Sequence, residues 1–156
     1  MKIKKKIEPI IAGLSASIII GILALLSFKT STGYWLMISF GATSLIVFIL
    51  YDKEFAQPGN IFFGHLLGIT IGILFNEFMG MTYISLALSV GFTVTLMMYL
   101  NVVHPPAAAN PLIALFSDVS IEYIVFPVIS GSVVIILISV IINKFILKRN
   151  YPTRWF

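Results

Sequence analysis

The stretch Asn101-Val-Val-His-Pro-Pro-Ala-Ala-Ala-Asn-Pro-Leu-Ile-Ala-Leu-Phe116 cannot run as one continuous helix. Pro105 and Pro106 remove two backbone donors and push His104 out of helical geometry. The chain around this break is too apolar for a soluble fold. Of its 156 residues, 59% are hydrophobic and 10% charged, where average soluble domains carry about 25% charged residues. The fold class this dictates is all-α, a polytopic transmembrane helical bundle in one domain covering residues 1–156. In lipid, a break in the helix is tolerated only where it is buried in protein or lines a cavity. The rest of the chain is then a frame holding the break at membrane depth.

The same composition removes several classes of function. There is no cysteine, so disulfides, thiolate chemistry and iron–sulfur or zinc-thiolate sites are excluded. Two histidines and six acidic residues make no protein-only metal cage, and neither a metal nor a cofactor is expected. Hydrolase chemistry lacks support, because Glu77, Asp118 and Glu122 fall near span ends and no serine sits in a nucleophile motif; no catalytic residue is expected. The formal charge of +4 sits almost wholly in the tails, Lys2/Lys4/Lys5/Lys6 and Lys144/Lys148/Arg149/Arg154. Basic tails beside apolar spans follow the positive-inside rule, which leaves no reason to invoke nucleic acid. The basic start resembles a signal peptide, yet the apolar run Ile10–Phe28 is too long for one and more spans follow, so it reads as a retained first helix.

Spans of roughly 20 apolar residues are expected at Pro9–Phe28, Tyr34–Tyr51, Ile61–Phe78, Thr82–Leu100 and Tyr123–Leu147. Gly13/Ser17/Gly21, Gly64/Gly68/Gly72 and Ala87/Gly91/Thr95 recur every four residues, as close helix packing requires. Asn60, after Pro58-Gly59, is placed to cap the third span. The basic and aromatic tail Lys148–Phe156 reads as an interfacial anchor.

Charge parity then bears on topology. Five spans would put the two basic tails on opposite sides, against the positive-inside bias. If 101–116 also crosses, partly extended and partly as a short helix, there are six crossings and both tails are cytoplasmic. Sliding the chain by 67 residues pairs Ala42 with Ala109, Leu45 with Leu112, Gly64 with Gly131 and Asn76 with Asn143. Each half then reads as helix, interrupted segment, helix, with repeats at 9–79 and 80–147 and broken helices at 34–51 and 101–116. Three spans per half make the repeats inverted, as in many transporters. Gly41–Ser44 and Ala108–Pro111 would meet near the midplane. A half-helix starting at the two prolines would offer the amides of Ala107, Ala108 and Ala109 to an anion, with side-chain donors from Thr43, Ser44 and Asn110. The plainer reading is that His-Pro-Pro only shapes a kink.

His104-Pro105-Pro106-Ala107-Ala108, after an apolar span, resembles the signature of the HPP family of integral membrane proteins. Phe40-Gly-Ala-Thr-Ser44, Ala56-Gln-Pro-Gly-Asn60, Gly64-His-Leu-Leu-Gly68 and Tyr151-Pro…Trp155 fall in the same order as in that family. The family is usually described as four-spanning, and its plastid and cyanobacterial members are associated with nitrite transport. The resemblance implies passage of nitrite or a similar oxyanion. One departure is Gly59, where many members have a basic residue.

The leading expectation is a transporter or channel for a small anion, not an enzyme. Its pathway residues are His104, Pro105, Pro106, Ala107, Ala108, Asn110, Thr43 and Ser44, supported by His65, Asn60 and Gln57. Expected partners are the anion, membrane lipids and a second copy in a homodimer or other homo-oligomer, in the plasma membrane of a prokaryote. Two alternatives belong to other classes: a redox protein with His65 and His104 as axial haem ligands, or an assembly subunit of a membrane complex.

Overall fold

A computed structural model describes residues 7–31 and 34–156. The basic cluster Lys2/Lys4/Lys5/Lys6 and part of the turn after the first span, Thr32 and Gly33, lie outside the described residues. Every regular element among the described residues is helical: α1 (Glu8–Lys29), α2 (Ser39–Ile49), α3 (Pro58–Met79), α4 (Tyr83–Tyr99), α5 (Asn110–Ser117) and α6 (Ser130–Ile141). Short 3-10 turns form at Glu54–Ala56 and Pro105–Ala109, and π-helical turns flank α6, so the last span runs Ile124–Ile146. Among the described residues α1, α3 and Ile124–Ile146 are long and apolar enough to cross a membrane, while α2 and α4 are shorter apolar helices.

Local chemistry explains the boundaries. Pro58 occupies the first helical position of α3 with Gln57 as the cap, because proline's fixed φ suits that position and its missing N–H costs nothing there. Asn60 therefore does not cap the span; it sits inside the first turn, where its amide donates to Val103 O (3.0 Å). Thr82 and Ser85 form a reciprocal capping box for α4. The entry to α2, residues 34–37, has no regular structure, and the amides of Trp35 and Leu36 donate to Ser27 Oγ at 2.8 and 3.2 Å.

The basic tail folds back onto the end of the bundle. Arg149 Nη1 donates to Phe48 O (2.7 Å) and to Asn143 Oδ1 (2.9 Å), its Nη2 pairs with Glu8, and its guanidinium stacks 4.2 Å from the Tyr51 ring. Asn143 Nδ2 donates to Val47 O (3.0 Å). The last carbonyls of α2 are thus capped by the far end of the chain, where a cation also complements the helix dipole. The tail goes on to the loop before α3: Tyr151 Oη donates to Ala56 O (2.8 Å) and Thr153 N to Gln57 Oε1 (2.9 Å). A side chain at Gly59 would meet Trp155 O at 2.5 Å. Arg149→Ala is expected to lower stability by about 1.5–3 kcal/mol, the range for hydrogen bonds to charged groups. Lysine should recover less than half of this in a thermal melt, since one ammonium cannot reach the separate partners of a planar fork.

These contacts settle how the elements run. The start of α1, the end of α2, the start of α3 and residues 149–154 share one end of the bundle. At the other end Asn76 near the close of α3 donates to Asp118 (2.6 Å), just past α5. The interrupted segment therefore travels beside α3 from Asn60 (at Val103) to Asn76 (at Asp118). Sixteen residues of α3 correspond to about 24 Å at the helical rise per residue. Residues 101–117 thus make a pass along α3, the fifth of six among the described residues, and both ends of the described chain lie at the same end of the bundle.

Glycine makes that pass possible. A methyl at Gly64 would stand 2.7 Å from His104 Cβ, at Gly68 2.5 Å from Ala107 O, and at Gly72 2.6 Å from Pro111 Cα. The other two small-residue faces behave differently: an added methyl at Gly13, Gly21 or Gly91 meets nothing within 4 Å, so these faces have no packing partner within the described chain. On the second half, a methyl added at Gly131 would stand 2.8 Å from Trp35 O and run into the Phe40 ring, while one at Gly64 would meet Val102 O and Ala107. These two sets of contacts are related by the same 67-residue shift.

Candidate functional site: a buried polar network at the crossing of the interrupted segments

Residue distribution is inverted relative to a soluble protein. Ile10, Leu14, Ile18 and Leu25 of α1 are exposed, whereas Ser39, Thr43, His65, His104 and Asn110 are buried. In an apolar bundle such side chains persist only if they satisfy one another. They do. Ser39 and Thr43, on one face of α2 at i and i+4, look toward α3 and the 101–117 pass. Ser39 Oγ donates to Asn110 Oδ1 (2.9 Å). Thr43 Oγ1 lies 2.8 Å from His65 Nε2 and 3.0 Å from His104 Nε2. His104 Nδ1 contacts Phe55 O (2.7 Å), and Asn110 Nδ2 contacts both His65 Nδ1 (3.1 Å) and His65 O (3.0 Å).

Donor–acceptor accounting assigns the protons. Phe55 O only accepts, so His104 Nδ1 carries hydrogen; a buried ring with no carboxylate beside it stays neutral, so His104 Nε2 is an acceptor, and it shares the Thr43 hydroxyl with Ser39 O (3.2 Å). Asn110 Nδ2 only donates, so His65 Nδ1 is the acceptor and His65 Nε2–H donates to Thr43 Oγ1. The chain runs one way: Asn110 to His65 to Thr43 to His104 to Phe55 O. Both rings are neutral in this arrangement, and their four nitrogens are satisfied without any carboxylate or cation. The rings of His65 and His104 meet edge to face with centroids 4.8 Å apart, and Phe40 closes the other side of His65 at 5.1 Å.

The structure joins Thr43, His65, His104 and Asn110 into one site and places the other expected residues around it. Pro106 and Ala107 are buried as its wall, Ala108 is half-buried and Pro105 is exposed. Thr43 and Ser44 diverge: Ser44 is buried with its Oγ unpartnered among the described residues, lining a 480 Å³ crevice between α1 and α2 instead. Adjacent helical positions point about 100° apart, which is why both cannot enter one site. Gln57 is a strut, donating to Tyr51 O (2.8 Å) and Lys53 O (2.9 Å). Asn60 links Val103 to Arg154, whose Nη2 donates to it at 3.2 Å. Ser39 and the Phe55 carbonyl were not anticipated. Spacing signals Ser39 in retrospect, one helical turn before Thr43; nothing in the sequence signals a particular carbonyl.

Two expectations are corrected by the geometry. Pro105–Ala109 is a 3-10 turn, in which Ala107 N donates to His104 O (3.0 Å) and Asn110 N to Ala107 O. Tight i-to-i+3 pairing consumes the amides that a half-helix start would have left free, so no fan of amides faces a ligand there. Axial haem ligation needs both imidazole Nε2 atoms to face one iron across a macrocycle, but here both face Thr43 Oγ1 across hydrogen-bond distances. The pair as arranged does not hold a haem.

A crevice of 400 Å³ opens beside the network between Ile38, Ser39 and Ala42 of α2 and Pro105, Pro106 and Ala109 of the 3-10 turn. The two interrupted segments thus meet, with Ser39 common to the crevice wall and the network.

Comparison with known proteins places the chain. It is similar to a transmembrane protein of Dictyostelium discoideum at 32% identity, covering 91% of this chain and 49% of the relative. A second transmembrane protein of that organism is 30% identical over 75% of this chain and 44% of its own length. The chain spans just under half the length of these curated relatives. No solved structure matches. The family described as "HPP, transmembrane region" matches residues 2–152. Apolar helices, the His-Pro-Pro break and this match together make the chain an integral membrane protein that belongs to the HPP transmembrane family.

Proposed function

We propose that this protein passes a small anion, nitrite or a similar oxyanion, across a membrane, and that the crossing of α2 with residues 101–117 is its pathway. One observation carries the reading: five polar side chains, Ser39, Thr43, His65, His104 and Asn110, are buried in an apolar bundle where two interrupted segments converge. Intramembrane polar residues are costly and mark pathways by default, and converging broken segments are how transporters build substrate sites. Nitrite itself comes from the family resemblance.

The two halves form inverted repeats in this reading. The paired contacts of Gly64 and Gly131 with segments 67 residues apart support it. Shifted by 67 residues, Pro58–Met79 falls on 125–146, beside the observed span Ile124–Ile146. Unpartnered small-residue faces on α1 and α4 support assembly with a second copy, since close backbone approach drives helix association in lipid. The tails face the cytoplasm of a prokaryotic plasma membrane, by the positive-inside bias.

Purified protein in liposomes tests the proposal. Nitrite flux is expected above that of empty vesicles; if nitrite, nitrate, formate and halide fluxes all equal the empty-vesicle rates, the proposal falls.

A further inference from the structure

The network that should meet the anion holds no charge. Both histidines are neutral in that arrangement, and apart from each other they touch no acidic or basic side chain among the described residues. The charged and titratable groups on the packed elements all stand elsewhere. On α1 they are Glu8, bound by Arg149, and Lys29 in the last turn; on α3, beyond His65, only Glu77 near the end. On α4 they are Tyr83 and Tyr99 at the two ends, and residues 105–117 and α2 contribute none. The last span carries Lys144 in its final turn, with Glu122 and Tyr123 just before it. Asp52, Lys53, Glu54, Arg154 and Tyr151 belong to the loop before α3 and the tail that covers it, and Asp118 is held by Asn76.

A bare anion in such surroundings has neither counter-charge nor bulk water, and an isolated buried charge relieves its desolvation by taking up a proton. Beyond Ser39 and Ser117 the walls of the crevice are apolar, among them Ile38, Ala42, Pro105, Pro106 and Ala109. The donors of Ser39, Thr43 and Asn110 are engaged within the network, which leaves oxygen lone pairs on Ser39 and Asn110 as its free hydrogen-bonding capacity. Acceptors match a neutral acid, which presents an O–H donor, better than an ion that only accepts. From these observations we infer that the cargo is the conjugate base of a weak acid and that it passes the network as the uncharged acid. The inference rests on the transport reading. An O–H bond forms on the anion with a proton from the entry side and breaks on the exit side. One proton and one anion cross together, no net charge moves, and the network is unchanged at the end of the cycle.

The test compares weak-acid anions (nitrite, formate) with strong-acid anions (nitrate, chloride) in proteoliposomes carrying a lumenal pH dye. Rates are taken as the increment over empty vesicles, which leak weak acids themselves. The expected result is a protein-dependent lumenal acidification with nitrite and formate. It should grow in proportion to external proton concentration, ignore a potassium potential imposed with valinomycin, and be absent with nitrate and chloride. Nitrate or chloride moving at the nitrite rate, with flux following the imposed potential, overturns the inference and leaves the transport proposal standing. No flux of either class removes both.

Discussion

Thr43→Val lowers stability by roughly 2–4 kcal/mol, although it changes almost no volume. The substitution strands two imidazole nitrogens at once, His65 Nε2 as a donor and His104 Nε2 as an acceptor, on side chains that are fully buried. A single buried polar group left unpaired costs about 1–3 kcal/mol. Interhelical hydrogen bonds in membrane proteins are individually weaker, about 0.6 and at most about 1.7 kcal/mol, because the unfolded chain in lipid finds other partners. Two stranded groups set the upper part of the range and the membrane reference state sets the lower. Thr43→Ser should stay within about 1 kcal/mol of wild type, the loss of one methyl contact. Thermal unfolding in detergent reads both. Equal destabilisation by serine and valine would show that the methyl group, and not the hydroxyl, holds the site.

Gly68→Ala is the second large effect. Its methyl would lie 2.5 Å from Ala107 O and 3.1 Å from Asn110 Cβ, and neither neighbour is a flexible side-chain end. Backbone must move, and overpacking of this kind costs about 1–3 kcal/mol. The displaced residues are the wall and the amide of the network, so anion flux should fall with stability. Gly41→Ala is the matched control: the same methyl on α2 meets nothing within 4 Å. Relief of glycine's entropy in a helix should make it neutral or more stable by about 0.5–1 kcal/mol. A Gly68→Ala protein as stable and active as Gly41→Ala would mean that the 101–117 pass does not lie against α3 as described.

Much of the frame could be read from the sequence because membrane spans are dictated by length and apolarity. Glu8–Lys29 and Ile124–Ile146 fall within a residue or so of their expected limits. The break at Pro105-Pro106 was legible for the same reason, since proline chemistry acts locally. Gly64, Gly68 and Gly72 also announced a close approach by their spacing, but identical spacing at Gly13/Gly21 found no partner in the described chain. Periodicity tells that a face is smooth and not what covers it. The tail's contacts with the bundle were not legible because a basic residue after an apolar span looks the same whether it reaches lipid headgroups or folds back. Arg149 folds back because α2, only 11 residues long, ends beside it with carbonyls to be capped. Within the site, Thr43, His65, His104 and Asn110 were picked out as costly polar groups in apolar surroundings. Their connectivity was beyond reach, as it depends on tertiary contacts between residues up to 71 positions apart.

The exchange of contacts between halves has a consequence for biogenesis. Gly64 of α3 is covered by residues 102–107, while Gly131 in the last span is covered by residues 35–40. Neither half finishes its own surface: what each third helix grips belongs to the other half. While the chain is being synthesised, Thr43 and His65 enter the bilayer with His104 and Asn110 still unmade, so their polar groups must be carried by provisional partners. Assembly is completed only when residues 101–117 thread into the groove of α3, and the late-arriving His-Pro-Pro segment acts as the keystone of the bundle.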